Sequence, residues 1–324
     1  MQQVLDELET FRKNELVDSR GLRYVDFIKD LKPNYFIVWR DIALGWGALL
    51  VLALALAAAQ KLVAPKQLWP CILLASIGMG FSMLYLHNFF HEAAHYNLAK
   101  SRRLNDVLAN IFLGYAVGQD VSAYRVIHFE HHRFLGTPKD TEHTYVFPLN
   151  PLFLMMTLSG WNVIRILLTR SRHLESDTQM EAAPPSRKAL LLGGSLNALL
   201  LVLLWVAGWW SVSIAWFLGM ISFFPFFNSL RNLLEHRSEN ADSKLNYLDH
   251  VHSAVNRLFG DGPLASTLGS AGFNRHLLHH WSPQISYTRL SELEHFLVDT
   301  EMGPYLATRQ TSYPAVFMRL WKWK

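Results

Sequence analysis

The sequence predicts an all-α, polytopic membrane protein with four transmembrane helices in two hairpins and a cytoplasmic helical cap. Three observations predict it. Four long apolar runs each approach the 20 or so residues that a spanning helix needs. Lysine and arginine avoid the two short connections between paired runs. Most of the histidines gather in the segments that follow the second and fourth runs. The overall composition of 324 residues, 51% of them apolar with eleven Trp and twenty Phe, suits a large soluble domain equally well. The distribution of those residues decides.

Taken in order, residues 1–41 form a charged, amphipathic segment in which no signal peptide is visible. The first hairpin, residues 42–90, pairs Ile42 to Ala59 with Leu68 to Phe90, and "KLVAPKQ" joins them. His87 and Asn88 interrupt the second run near its end. Residues 91–188 form a cytoplasmic segment. Within it, Leu104 to Gly118 carries Asn105, Asp106 and Asn110 and is too short and polar to cross. Pro151 to Leu168 is more apolar, but Asn162 and Arg165 lie inside it, and polar groups at bilayer depth are expensive. It reads as an interfacial helix with Trp161 at headgroup level. The alternative, a fifth span, puts the histidines before and after it on opposite sides of the membrane. Glu175 to Lys188 is a polar loop punctuated by Pro184 and Pro185. The second hairpin, residues 189–230, pairs Ala189 to Trp210 with Val212 to Leu230 around a turn near Ser211. Residues 231–324 return to the cytoplasm and end in the aromatic, basic "YPAVFMRLWKWK". The whole of 1–324 reads as one unit.

Charge orients this scheme. Of thirty lysines and arginines, only Lys61 and Lys66 fall in the two connections, so the positive-inside rule places both termini and the middle segment in the cytoplasm. The formal charge of +4 is therefore a topology signal. Lys100, Arg102 and Arg103, beside a span, read as facing anionic lipid, and no nucleic-acid partner is expected. A single cysteine, Cys71, excludes an intrachain disulfide, a Cys-ligated cluster and a Cys-based zinc site. Metal chemistry must come from histidine and carboxylate.

Nine of the fifteen histidines stand in groups. His91 and His95 form H-x-x-x-H. His128, His131 and His132 form H-x-x-H-H, and His276, His279 and His280 repeat it. His236 ends "NSLRNLLEH". Residues three and four apart share a helix face, so each group aims several imidazoles one way. Helices descending from the membrane can bring such faces around a common centre. Nine imidazoles exceed the need of one tetrahedral ion, so two metals are the natural count, and spacing alone does not name the element. His143, His173, His250, His252 and His295 read as interfacial or hydrogen-bonded residues. His87, one turn before His91, reads the same way or as a neighbour of the metal site or substrate channel.

These strings are similar to the three histidine boxes of the integral-membrane fatty acid desaturase superfamily. "HEAAH", "HFEHHRFLGTPKD" and "FNRHLLHHWSPQISYTRL" resemble the boxes with their flanks, over about Trp69 to Leu293. "NLLEH" resembles the family's extra ligand region, which maps onto Asn232, acting through a water, and His236. Two departures stand out: Trp281-Ser282 before Pro283, and Leu277-Leu278 where many relatives place a glutamate. Both bear on substrate class. The resemblance implies a di-iron centre on the nine grouped histidines that uses dioxygen to desaturate an acyl lipid. It implies hydroxylation, ketolation or acetylenic bond formation as alternatives. No His-Pro-Gly-Gly of a fused cytochrome b-type domain is seen, so electrons are expected from a separate ferredoxin or cytochrome docking near Arg102, Arg103, Arg133 and Lys139. A bacterial inner membrane is the expected location, with the endoplasmic reticulum as the alternative. Glu92, Glu130, Glu235 and Asp140 are the carboxylates expected to hold the imidazole tautomers.

H-E-x-x-H is also a zinc protease pattern, with Glu92 as base and Asp261 of an Asp-Gly turn as third ligand. That reading leaves six grouped histidines without a task, and it needs Asp261 at membrane depth. A non-enzymatic metal-storing protein is the third alternative.

Overall fold

The computed structural model describes residues 10–161, 164, 186–242, 245, 250–251 and 254–322. Among them the secondary structure is helical, and extended pairing is confined to isolated bridges such as Leu149 with Trp321. Four helices are long and apolar enough to cross a membrane: Tyr35–Leu62, Pro65–Ala94, Arg187–Val206 and Trp210–His236.

Helix α1 (Tyr35–Leu62) starts where the Asn34 side chain accepts from the Ile37 N–H at 3.3 Å, satisfying one of its orphan donors. Val63 and Ala64 end it, and Pro65 opens α2 (Pro65–Ala94), a position where an absent N–H is unneeded. Gly45 of α1 lies against Leu86 and Tyr85 of α2, while Gly78 of α2 lies against Leu52 of α1. The two helices thus run side by side in opposite directions.

Between the apolar pairs, α3 (Arg102–Ala109) is capped by Ser101 and runs into a π turn at Asn110–Gly114. Helix α4 (Val121–Phe134) is capped by Asp120, whose carboxylate accepts from the N–H groups of Ser122 and Ala123 at 3.0 and 3.2 Å. Helix α5 (Pro151–Leu158) lasts two turns, too short to cross. Asn162, Arg165 and nearly all of the polar loop through Pro185 lie outside the described residues.

Helix α6 (Arg187–Val206) is capped by Ser186. The following turn sits at Ala207–Trp209, with Gly208 at φ +79, not around Ser211, which is already helical and buried. Glycine takes the left-handed conformation that ends the helix. The apolar run hides this break, because tryptophans follow the glycine directly. Helix α7 (Trp210–His236) contains a π turn at Gly219–Phe223 just before Pro225. Proline lacks the N–H that the ladder needs there, and a wider turn absorbs the defect. The same turn lets α7 approach α2: a Cβ on Gly80 would meet the Phe223 Cβ at 2.3 Å, and one on Gly219 the Gly80 N at 3.2 Å. Small residues at such crossings let backbones close in where no hydrophobic gradient drives association. Leu44, Leu50, Val51 and Leu54 of α1, with Leu191, Leu199, Val202 and Val206 of α6, stay exposed, as helices bathed in lipid require.

The rest of the chain completes a cap with α8 (His276–Trp281), α9 (Leu290–Val298) and α10 (Tyr313–Leu320). Two further cores flank it. One joins Tyr145, Leu149 and Phe153 to Leu233, Phe259 and Tyr313. The other packs Leu16, Tyr24 and Leu31 against Leu277, Leu278, Trp281 and Phe296. The N-terminal segment is therefore structural: the Tyr24 and Ser282 hydroxyls share a hydrogen bond of 2.6 Å directly behind the last histidines. Leu277 and Leu278 have no exposed surface in this core, which accounts for apolar side chains at those positions.

Candidate metal centre

Four helices deliver nine imidazoles to one place. Helix α2 brings His91 in its last turn and His95 at its C-cap; α4 brings His128, His131 and His132; α7 ends on His236; α8 brings His276, His279 and His280. Ring nitrogens of His91, His95, His128, His132 and His279 lie within 4.8 Å of one another. Those of His131, His236 and His280 form a second such set, and His276 joins it with its Nε2 2.9 Å from His236 and 3.1 Å from His280. The sets adjoin, the His132 and His280 ring centres being 4.2 Å apart.

Helical geometry explains the division. In each H-x-x-H-H string the i and i+4 residues stay together and the residue between them turns to the other set. His128 and His132 go to the first set and His131 to the second; His276 and His280 go to the second and His279 to the first. Each of the two helices thus contributes to both sets, in opposite proportion.

The rings are oriented from behind. His131 Nδ1 donates to Asp140 at 2.8 Å, His128 Nδ1 to Glu142 at 3.2 Å and His236 Nδ1 to the Val255 carbonyl at 3.3 Å. In a neutral ring a proton held on Nδ1 leaves Nε2 as a lone pair available to a metal. His128 Nε2 faces the Nε2 atoms of His95 and His132, each at 2.9 Å. Neither ring nitrogen of buried His91 has a partner among the described residues.

Electrostatics keeps most rings neutral. Burial, reinforced by neighbouring rings, drives His132, His276, His279 and His280 well below the usual imidazole range. Burial also lowers His128, outweighing Glu142. His131 goes the other way: burial would lower it, but the Asp140 and Glu142 carboxylates push it up to about 9. Burial would raise Glu142, yet His131 and His128 hold its carboxyl well below the usual carboxylate range.

Of the four carboxylates expected from sequence, Asp140 orients a ring as anticipated. Glu235 pairs with Arg231 at 2.7 Å and stands 3.7 Å from His276 Nε2. Glu92 instead accepts from Asn97 Nδ2 and the Tyr287 N–H, both at 3.1 Å, tying the end of α2 to the chain beyond α8. Glu130 makes no hydrogen bond or ion pair among the described residues. Glu142 was not anticipated, although it lies two residues past Asp140 in the same polar flank. Asn232 is held at both ends of its amide, accepting from Thr144 at 2.7 Å and donating to Glu142 at 3.3 Å. Asp261, the third ligand in the protease alternative, is largely exposed and paired with Arg275, outside both sets.

The fatty acid desaturase family model matches residues 67–313. The chain belongs to that family. No curated protein matches it. As a fatty acid desaturase family member with four helices able to cross a bilayer, it is an integral membrane protein of an oxidoreductase family. Ring nitrogens that converge at 2.9–3.1 Å in a buried donor set made of histidine suit cations that favour imidazole, and two adjoining sets fit two of them.

Proposed function

We propose that this protein is an oxygen-dependent, non-haem di-iron acyl-lipid desaturase, acting as one unit over 1–324. The observation that carries the reading is the pair of adjoining imidazole sets. In this reading His91, His95, His128, His132 and His279 hold one iron, and His131, His236, His276 and His280 the other. Asn232, lining the space beside His236 and His276, is the tenth candidate. Iron bound by these residues would supply, with dioxygen as co-substrate, the oxidising power needed to remove hydrogens from an unactivated alkyl chain.

The protein's own part is orientation and exclusion. Asp140, Glu142 and the Val255 carbonyl fix three rings so that their Nε2 atoms stay available. Six of the nine histidines are buried, which keeps bulk water from the reacting carbons. A narrow cleft between α1, α2 and α7, lined by Trp46, Leu49, Met83, Leu86 and Trp216, gives an alkyl chain an apolar route in from lipid. Electrons come from a separate ferredoxin or cytochrome b-type partner, and exposed Arg102, Arg103, Arg133 and Lys139 offer an acidic donor a complementary face. The distribution of basic residues supports a centre on the cytoplasmic side, and this reading takes the membrane to be a bacterial inner membrane, with the endoplasmic reticulum as the alternative.

The test is lipid profiling of cells expressing the chain, paired with metal analysis of purified protein. A new double bond, with two irons per chain, supports the reading. A hydroxyl, keto group or triple bond redirects it within the family. Zinc alone at a single position, or a cytoplasmic label on the turns at Lys66 and Gly208, refutes it.

A further inference from the structure

Helices α2 and α7 both end at the imidazole sets, and a helix end leaves its last carbonyls without amide partners. At each end an arginine from a later part of the chain takes those carbonyls. At α2, Arg125 Nε donates to the Ala94 carbonyl at 2.8 Å and Nη2 to the Ala93 carbonyl at 3.2 Å, between His91 and His95. The same guanidinium lies 3.9 Å over the Tyr96 ring, and Tyr96 holds a left-handed φ of +63 directly after His95, a conformation that tyrosine rarely adopts. At α7, buried Arg257 donates from Nη1 to the Leu234 and Glu235 carbonyls at 3.0 and 3.2 Å, and from Nη2 to the Arg237 carbonyl at 2.6 Å, on both sides of His236. Each guanidinium has a carboxylate against it, Asp106 at 2.5 Å from Arg125 and Glu239 at 2.7 Å from Arg257.

These attachments follow the division of the imidazoles. Arg125 stands on α4 three residues before His128, so it ties the turn of His91 and His95 to the helix of His128 and His132, all members of the first set. Arg257 does the same for the second. Val255, two residues before it, donates its N–H to the His236 carbonyl at 2.9 Å and accepts from His236 Nδ1 at 3.3 Å. The Arg257 carbonyl accepts from the Leu277 N–H at 3.1 Å, beside His276. Through this one residue the end of α7 is joined to α8. A positive charge suits a helix C-terminus, but the forked guanidinium is needed to serve several carbonyls and a carboxylate at once, and a lysine ammonium, a point charge on a flexible stem, does not hold that geometry.

Resting on the two-metal reading above, we infer that Arg125 and Arg257 are positioning residues, one for each metal position. Arg125 fixes α2 against α4 and so the spacing of the first set; Arg257 fixes α7 against α8 and so the spacing of the second. Asp140 and Glu142 orient individual rings, whereas the two arginines act on the backbone that carries the rings, and neither touches a metal.

The test is titration of the metal-free full chain in detergent with Co(II), followed through the cobalt ligand-field spectrum and needing no turnover. Asp140→Asn, which acts on His131, marks the spectral component of the second set. Arg257→Lys keeps the charge and removes the fork; it should weaken that component about tenfold, the lower end of the effect of an outer partner on metal affinity, and leave the other unchanged. Arg125→Lys should do the converse. A residue that merely holds the fold together would lower the thermal midpoint without choosing a position. Equal weakening of both positions in either variant therefore overturns the inference, as does weakening of the opposite position or undiminished affinity in both variants. If the lysine variants do not fold, Asp106→Asn and Glu239→Gln, at partly exposed carboxylates, decide in their place: the same selective pattern supports the inference, and equal or absent weakening overturns it. Failure of the two-metal reading itself shows separately, as wild-type protein that fills one position or none, and overturns both.

Discussion

Asp140→Asn should weaken one metal position and spare the other. Asp140 is almost fully buried and takes three donors: His131 Nδ1 at 2.8 Å, the Glu142 N–H at 2.9 Å and the Tyr145 hydroxyl. The asparagine keeps the volume but not the charge. Hydrogen bonds to a charged group contribute roughly 1.5–3 kcal/mol each, so a loss of a few kcal/mol is spread over His131, Tyr145 and the turn between them. His131 then loses the partner that fixes its tautomer, and removing such a partner typically costs 10- to 100-fold in metal affinity. Because His131 belongs to the second set, only that position should suffer. The companion change Glu142→Gln acts on His128 and should weaken the first. The assay is anaerobic titration of apoprotein in detergent with Fe(II) or Co(II), following stoichiometry and the cobalt ligand-field spectrum. Wild-type protein should fill two positions. D140N should fill one tightly and the other only at about 10- to 100-fold higher metal. Two undiminished positions in D140N, with a normal thermal midpoint, would refute the division of the imidazoles.

Three other outcomes follow from the same geometry. Gly80→Leu should prevent α2 and α7 from closing, with a loss of more than the 1–3 kcal/mol usual for overpacking because backbone blocks the space, whereas Gly47→Leu, with nothing within 4 Å, should insert and melt like wild-type; equal melting of the two would discount the crossing. Glu92→Gln should keep both metals and measurable activity, since its role is to hold Asn97 and the Tyr287 N–H; full loss of activity with metal retained would revive the hydrolytic alternative. For the apoprotein, the neutral buried rings His128, His132, His276, His279 and His280 bind fewer protons folded than unfolded below about pH 6.5, so acidification from about pH 7 to 5 should lower the thermal midpoint, each ring contributing up to ~1.4 kcal/mol per pH unit. His131 opposes them, its stabilisation complete below about pH 6.5 and lost as the pH rises through about 9; a midpoint that rises on acidification would contradict the burial of the other five.

How much of this was legible in the sequence depends on the range of the interaction concerned. Spans are written in one-dimensional hydropathy, and the four runs lie within or close to the four long helices. Where Trp209 and Trp210 continue an apolar run past Gly208, composition conceals the turn, and only the glycine marks it. The nine histidines were identifiable because helical spacing is local. Their division into two sets was not, because which face of α4 meets which face of α8 is a matter of tertiary packing. Glu142 escaped notice for the same reason: nothing in "KDTEH" says which carboxylate folds back on His128. The N-terminal segment reads as a charged surface piece, yet Leu16 and Tyr24 meet Leu277 and Trp281 across some 260 residues of chain, a pairing no periodicity reports.

The crossed allocation of imidazoles between α4 and α8 has a consequence for how such a protein matures. Neither half of the polypeptide owns a complete cage, so a nascent chain lacking residues beyond 275 can offer an ion only a partial grip. Metal capture is thereby linked to the docking of the last histidine helix, and affinity for the ion becomes cohesion of the cap. On the di-iron reading, iron starvation should accordingly release the segment that follows α7 as a unit, exposing it to proteases while the membrane helices stay inserted.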